Sequence, residues 1–245
     1  MENVAYIALS RMTAMRRQMD VIANNVANMS TPAFKGEKVL FAEYLMRTQP
    51  HDNSSTELSF VQDLSTLREL RDGEKRRTAE PLDVAIDGPG YFAVETPRGV
   101  RYTRNGHFRL NDLGTLITAA GHAVLDENGR SITLADEGGG SPSIAKDGTV
   151  SSSAGASLGR LGVVTFANEL ALKAEGDSVY AATEPPQPIA NAKVDQGMIE
   201  DSNVQPIVEM ANMIELLRNF EATQRLLESD HDRQRKAIDR LARIA

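Results

Sequence analysis

The last forty residues of the chain, PIVEMANMIELLRNFEATQRLLESDHDRQRKAIDRLARIA (206–245), decide its architecture. Apolar or small residues recur there at alternating steps of three and four. In the middle of the series the same steps fall on polar residues, Gln224, His231 and Gln234. An average step of 3.5 residues is the coiled-coil period. The pattern predicts a helix about 55 Å long, which is longer than one small globule can cover. The members of the series are Met210, Met213, Leu217, Phe220, Leu227, Ile238, Leu241 and Ala245.

A second heptad pattern occupies residues 1–28, at the other end of the chain. No Pro or Gly interrupts it, so we expect a helix of about 42 Å. The seam is rich in Met and Ala, which make an adaptable rather than a strongly specifying surface. We expect the two terminal helices to pair as a coiled-coil-like bundle; the alternative is an amphipathic helix docked on its own domain. The seam residues are Met1, Ala5, Ala8, Met12, Met15, Met19, Ile22 and Val26.

Composition argues against several classes of function. A net charge of -7 and a pI near 5.2 do not suit a nucleic-acid binder, which needs a basic face. The absence of Cys removes disulfides, thiolate nucleophiles and Cys-bearing zinc sites. No apolar run approaches the roughly 20 residues of a membrane span. Arg11, Arg16 and Arg17 interrupt the N-terminal stretch, so we expect no cleaved signal peptide.

The region between the helices divides into a polar part and a β-rich part. Residues 36–80 are predicted to form an extended arm, because the stretch 37–80 carries nine acidic and seven basic residues. Residues 81–191 show period-two alternation and turn dipeptides at short spacing, which predicts a central all-β domain, an antiparallel sandwich or barrel. Residues 192–245 are read as a return linker and the C-terminal helix, with Ser202 or Asn203 as candidate N-cap. With the helix and Asn-rich segment of residues 1–35, the fold class is α+β.

Candidate chemistry is sparse. The four histidines, at positions 51, 107, 122 and 231, lie in different regions and lack metal-ligand spacing. Asp83 and Asp87 could form a carboxylate pair on one strand face, but we interpret them as turn and edge residues. The Gly88-Pro89-Gly90 turn is not followed by a helix or by Lys-Ser/Thr, so it is a poor phosphate loop. We predict no enzyme activity, no cofactor, no metal and no small-molecule substrate.

Three motifs carry a resemblance to a known family. They are Ile-Ala-Asn-Asn-Val-Ala-Asn (22–28) with Ser-Thr-Pro-Ala-Phe-Lys (30–35), then Asp-Gly-Pro-Gly-Tyr-Phe (87–92) with Arg-Asn-Gly-His-Phe (104–108), and finally Gly-Met-Ile-Glu-Asp-Ser-Asn-Val (197–204). In this order they resemble the signatures of flagellar rod, hook and hook-associated axial proteins. Ala33 stands where that pattern usually has Gly, and Ala resists a positive φ. Within the family, the length and the helix over residues 12–19 favour a proximal rod protein over the longer distal-rod protein.

The resemblance implies a structural subunit of the bacterial flagellar basal-body rod that self-assembles with other axial proteins into the drive shaft. It also implies export by the flagellar type III apparatus to the periplasm-spanning rod. A soluble β-domain binding module dimerised through a coiled coil is the alternative. We expect self-assembly contacts at Ala5, Ala8, Met12, Met15, Met19, Ile22, Asn24, Asn25, Val26, Asn28, Phe34, Met210, Met213, Leu217, Phe220, Leu227, Ile238 and Leu241.

Overall fold

The computed structural model describes residues 2–47, 57–134, 142–153, 155–189 and 192–242. Within helices and strands, the side chains of residues 2–4, 43–47, 57–64, 237, 238 and 241 lie outside the description. The chain forms two compact units. We call them the helical unit (Met1–Ala27, Glu37–Arg68 and Gln205–Ala245) and the β unit (Asn28–Gly36 and Glu69–Val204).

Two long helices and one β-hairpin make up the helical unit. Helix α1 spans Glu2–Ala27 and helix α2 spans Pro206–Ala242, so both predicted terminal helices are confirmed. Strands β1 (Glu37–Arg47) and β2 (Glu57–Arg68) pair antiparallel, with an irregularity between Leu40 and Phe41. Helix α1 contacts both strands as well as α2.

The hairpin of β1 and β2 was not predicted from the sequence. Residues 36–80 were expected to form one extended arm, but residues 37–68 belong to the helical unit and residues 69–80 to the β unit. The charged residues hide the strand pattern, and the irregularity after Leu40 shifts the register by one residue, which breaks a strict period of two. The contacts of both strands with α1 come from residues distant in sequence, so no local pattern reports them.

The β unit consists of short strands and one short 3₁₀ turn, Glu169–Ala171. Every pairing among its described residues is antiparallel, and the strands agree with the predicted β-rich centre. The strands are β3 (Lys75–Arg77), β4 (Val84–Asp87), β5 (Tyr91–Thr96), β6 (Gly99–Thr103), β7 (Phe108–Leu110), β8 (Leu116–Thr118), β9 (Ala123–Val124), β10 (Ser143–Ile144), β11 (Thr149–Ser151), β12 (Ser157–Arg160), β13 (Val163–Thr165), β14 (Lys173–Ala174), β15 (Val179–Ala181), β16 (Gln187–Pro188), β17 (Lys193–Gln196) and β18 (Met198–Glu200).

The largest sheet among the described residues has the path β14-β15-β6-β5-β9-β8-β7, and β13 and β16 join it at β5. Strand β5 lies near its centre and is buried on both faces. Phe92 and Val94 point into one apolar cluster, while Tyr91 and Ala93 point into another. Such two-sided burial is why this strand reads as a nearly continuous apolar run rather than an alternating one.

The first cluster depends on a close backbone approach at Gly106. A Cβ at this position would lie 1.7 Å from the carbonyl oxygen of Val84, so no other residue fits without moving that strand. The backbone N–H of Val84 donates to the carbonyl of Gly106 at 3.0 Å. Phe92 and Phe108 then pack edge to face, with ring centroids 5.1 Å apart.

The predicted return linker, residues 192–204, contains strands. Strand β17 pairs with β4, and β18 pairs with β3, so this segment belongs to the β unit. The Asn-rich signature also divides between the units, because α1 ends at Ala27 and residues 28–36 group with the β unit. Helix α2 begins at Pro206, so neither Ser202 nor Asn203 is its N-cap, contrary to expectation.

Candidate assembly surface and signature cluster

The two helices of the helical unit share one small apolar core. Met15, Ile22 and Leu216 are buried in it, and Met19, Val26, Met213 and Phe220 pack around them. On α2 the contacting positions are 213, 216 and 220, whereas the predicted series has 213, 217 and 220. Leu216, which was not in the predicted seam, lies at the centre of the contact, one position from the predicted Leu217.

The rest of the predicted seam divides by exposure. Ala8 is buried, Met12 and Leu227 are half-buried, and Ala5 is exposed. The side chains of Ile238 and Leu241, and Met1 and Ala245 entirely, lie outside the described residues.

An apolar stripe runs along the first three turns of α2 and stays exposed among the residues that the structure describes. Its residues step by three, four and three, which places them on one side of the helix. Two of them, Ile207 and Ile214, were not in the predicted assembly set. We call this set the α2 stripe; its members and exposed fractions are Ile207 83%, Met210 46%, Ile214 51% and Leu217 42%.

Asn25 explains part of the Asn density in the first signature. Its buried side chain donates to the carbonyl of Glu37 at 2.9 Å and accepts from the N–H of Glu37 at 2.9 Å. Its amide nitrogen also lies 3.4 Å from Oε1 of Glu209 on α2. Asn25 therefore joins the end of α1 to the start of the hairpin and to α2, while its neighbour Asn24 is exposed.

Residues 28–36 form a turn that is held in the β unit. The hydroxyl of Thr31 donates to Oδ1 of Asn28 at 3.2 Å, and the N–H of Phe34 donates to the carbonyl of Thr31. Ala33 has a φ of 56°, in the left-handed region. The residue therefore adopts the positive φ that Ala was expected to resist. The N–H of Ala33 donates to the carbonyl of Glu200 at 2.8 Å, and this contact accompanies the strained conformation.

An ionic cluster joins the first, second and third signature motifs; Lys35, Arg104 and Glu200 are buried in it, and Asp72 lies half exposed at its edge. Nζ of Lys35 lies 2.6 Å from Oε1 of Glu200, and Nε of Arg104 lies 2.7 Å from Oε2. Asp72 contacts both cations, at 3.3 Å from Lys35 and 2.9 Å from Arg104. The N–H of Gly73 donates to Oε1 of Glu200 at 2.9 Å.

The cluster determines the charge state of Glu200. Burial raises the pKa of this carboxyl, but Arg104, Lys35 and the Gly73 N–H outweigh burial and hold the pKa below its ordinary value. The charges of the two cations and the two carboxylates balance, and each cation is hydrogen-bonded. The cluster therefore suits a structural role rather than acid–base chemistry.

The remaining titratable candidates do not converge. Asp83 is buried against Nδ1 of His107 at 2.6 Å, while Asp87 pairs with Lys75 at 2.7 Å, so the two aspartates have separate partners. Within the described part of the chain, no group of His, Asp or Glu has the arrangement of a metal site. The described helices also include none with the length and apolarity needed to cross a membrane. His51 lies outside the described residues.

Comparisons with known proteins agree with this architecture. Residues 6–35 match the family model for flagella basal body rod proteins, residues 85–152 match the D1 domain model of flagellar hook proteins FlgE/F/G, and residues 195–240 match the FlgEFG basal body rod C-terminal model. The chain is 37% identical to the flagellar basal-body rod protein FlgF of Caulobacter vibrioides over 246 residues, covering 100% of both chains.

Two further relatives extend the comparison. FlgF of Mesorhizobium japonicum is 32% identical and covers 98% of each chain. FlgG of Bacillus subtilis is 30% identical, covering 93% of this chain and 94% of its own. Terminal helices around a sheet-rich centre, with these matches, define an axial structural protein. The chain belongs to the flagellar basal-body rod protein family. The relatives do not favour the soluble binding module.

Proposed function

We propose that this rod subunit is incorporated by packing the α2 stripe against helices of other axial subunits and of further copies of itself. Four apolar side chains in a row, between 42% and 83% exposed, are the observation on which this rests. Burying one large aliphatic side chain contributes about 1.5–3 kcal/mol, so the stripe represents a substantial driving force for association. A contiguous exposed apolar patch of this kind is typical of an interaction surface.

The internal contact between α1 and α2 leaves room for such partners. Among the described side chains its buried core contains Met15, Ile22 and Leu216, although α2 alone is 37 residues long. We propose that coiled-coil-like contacts with neighbouring subunits extend this short pairing. The other predicted assembly residues, including Ala5, Met12 and Leu227, take part in the same contacts.

Family membership supports further parts of the proposal. We infer a place in the proximal rod, because the FlgF relatives are 37% and 32% identical over 100% and 98% of the chain, against 30% over 93% for FlgG. The proposed route is flagellar type III export. The proposal assigns the chain no catalytic activity, cofactor, nucleic acid or small-molecule substrate, and the named relatives are rod proteins.

Site-specific photo-crosslinking in intact basal bodies tests the assembly surface. A photoreactive residue at Met210 or Leu217 should form crosslinks to axial proteins, because both positions belong to the α2 stripe. Asn212 is the matched comparator, since a residue two positions along points to roughly the opposite side of a helix. Crosslinks from Asn212 that equal or exceed those from the stripe would contradict the proposed surface.

A further inference from the structure

Asn203 contacts two other segments of the β unit, residues 34–36 and residues 69–71. Its Oδ1 accepts from the N–H of Gly36 at 2.8 Å. Its Nδ2 donates to the carbonyls of Glu69 at 3.0 Å and Arg71 at 2.8 Å. Its backbone N–H donates to the carbonyl of Phe34 at 3.2 Å. One residue therefore satisfies polar backbone groups from two segments that are more than 130 positions earlier in the chain.

These contacts lie beside the places where the chain passes from one unit to the other. The chain leaves or enters the β unit after residues 27, 36, 68 and 204. We call these four positions crossings. Gly36, Glu69 and Asn203 lie beside three of them. Gly36 also accepts directly from the N–H of Glu69 at 2.8 Å, so two crossings are joined to each other as well.

The ionic cluster joins the same three segments, residues 34–36, 69–73 and 200–203, a few residues away from Asn203. Lys35 comes from the first segment, Asp72 and Gly73 from the second, and Glu200 from the third. The segments approach so closely at Gly73 that a Cβ there would lie 1.9 Å from the carbonyl oxygen of Asp201. Each segment thus has no complete set of partners unless the other two are present.

We propose that Asn203 is the positioning residue of a cooperative clamp, formed by residues 34–36, 69–73 and 200–203, in which the three crossing segments become ordered together. The clamp needs the segment that comes last in the chain, so the first two segments lack part of their partners until residues 200–203 dock. This device lies beyond the assembly surface and does not depend on it.

Amide hydrogen exchange of the full chain tests the clamp with two variants. Asn203→Ala removes all the side-chain bonds, whereas Asn203→Asp keeps the acceptor for Gly36 but loses both donors to the carbonyls. A cooperative clamp predicts about tenfold faster exchange at the amides of both Gly36 and Glu69 in both variants. The amides of β5 should remain protected. Asn168→Asp is the control, because Asn168 is exposed and its side chain makes no capping bond.

Three outcomes would overturn the clamp. Gly36 could stay protected in Asn203→Asp while Glu69 exchanges faster, which would mean independent hydrogen bonds. Amides of β5 could accelerate equally, which would make Asn203 a general stabiliser. The Gly36 and Glu69 amides could also change no more than in Asn168→Asp.

A measurement on the unmodified chain covers the case in which a variant fails to fold. In increasing denaturant, the amides of Gly36, Glu69 and Gly73 should open with one common free energy and slope. Separate values for the three amides would overturn the proposal without any substitution.

Discussion

Nζ of Lys35 lies 2.6 Å from Oε1 of Glu200, although 165 positions separate the two residues. The side chains are 4% and 2% exposed, so this ion pair is almost fully removed from water. Breaking one member of a buried ion pair leaves the other charge without compensation, which is more costly than replacing the whole pair with apolar groups. The pair therefore fixes the first signature motif against the third within the β unit.

Neutralising Glu200 should destabilise the β unit strongly. Glu200→Gln keeps the shape but leaves Lys35 and Arg104 buried beside a neutral amide, and we expect a loss of about 3 kcal/mol in the free energy of unfolding. Urea unfolding followed by tyrosine fluorescence measures it, since three tyrosines lie in the cores of the β unit. The exposed Glu95→Gln is the control and should change stability little. A loss below about 1 kcal/mol for Glu200→Gln would show that the pair does not hold the motifs.

The same carboxylate predicts a pH dependence. The pKa of Glu200 is lowered in the folded state, so its stabilisation is fully present above the ordinary value of 4.5 and is lost as the pH falls through the folded pKa. Asp126, Asp147 and Glu175 also have lowered pKa values and contribute in the same direction. The difference in unfolding free energy between the native chain and Glu200→Gln should therefore shrink below pH 4.5. A difference that stays constant down to pH 3 would contradict this assignment.

Ala33 should tolerate Gly far better than Val. Gly relieves a left-handed conformation that costs Ala about 1–2 kcal/mol, but it loses a buried methyl group and increases the entropy of the unfolded chain. These effects nearly cancel, so Ala33→Gly should lie within about 1 kcal/mol of the native stability. Ala33→Val places a β-branched residue at positive φ and should cost about 3 kcal/mol or more.

The control for this pair of variants is Ala181→Val, on strand β15, where a β-branched residue suits the backbone. Thermal unfolding of all three variants gives the comparison. Equal tolerance of Val at positions 33 and 181 would contradict the left-handed conformation at Ala33.

Much of this architecture follows from local patterns. The terminal helices could be predicted because their apolar residues repeat with a helical period and neither Pro nor Gly interrupts them. The strands on either side of Gly88-Pro89-Gly90 could be predicted, because short apolar stretches flank turn residues there. The buried α2 residue of the helix contact could not be predicted. A heptad repeat of 3.5 residues does not match the 3.6-residue turn of a straight helix, and Leu216 is buried instead of Leu217.

The parts that could not be predicted depend on residues distant in sequence. The hairpin depends on the pairing of β1 with β2 and on their contact with α1. Its charged composition, by contrast, predicted an extended arm. Asn203 looked like a helix cap because Asn favours that position, but tertiary contacts use the same donor and acceptor atoms for backbone groups at residues 36, 69 and 71. A single sequence contains no signal for such a convergence.

Asn25 should stabilise the helical unit through its two bonds to Glu37. Asn25→Asp keeps the acceptor for the Glu37 N–H but places a carboxylate against the Glu37 carbonyl and 3.4 Å from the Glu209 carboxylate position. We expect a loss of about 2–3 kcal/mol, seen as earlier melting of the helical circular dichroism signal. Asn212→Asp, at an exposed position on α2, should have a much smaller effect. Equal effects at both positions would rule out this role for Asn25.

The central claim is that other subunits cover the α2 stripe. Because the chain has no Cys, Ile214→Cys provides a single thiol on the stripe. Maleimide labelling of this thiol is compared between the purified subunit and intact basal bodies. We expect rapid labelling of the purified subunit and strong protection in the basal body. Equally rapid labelling in both states would contradict it.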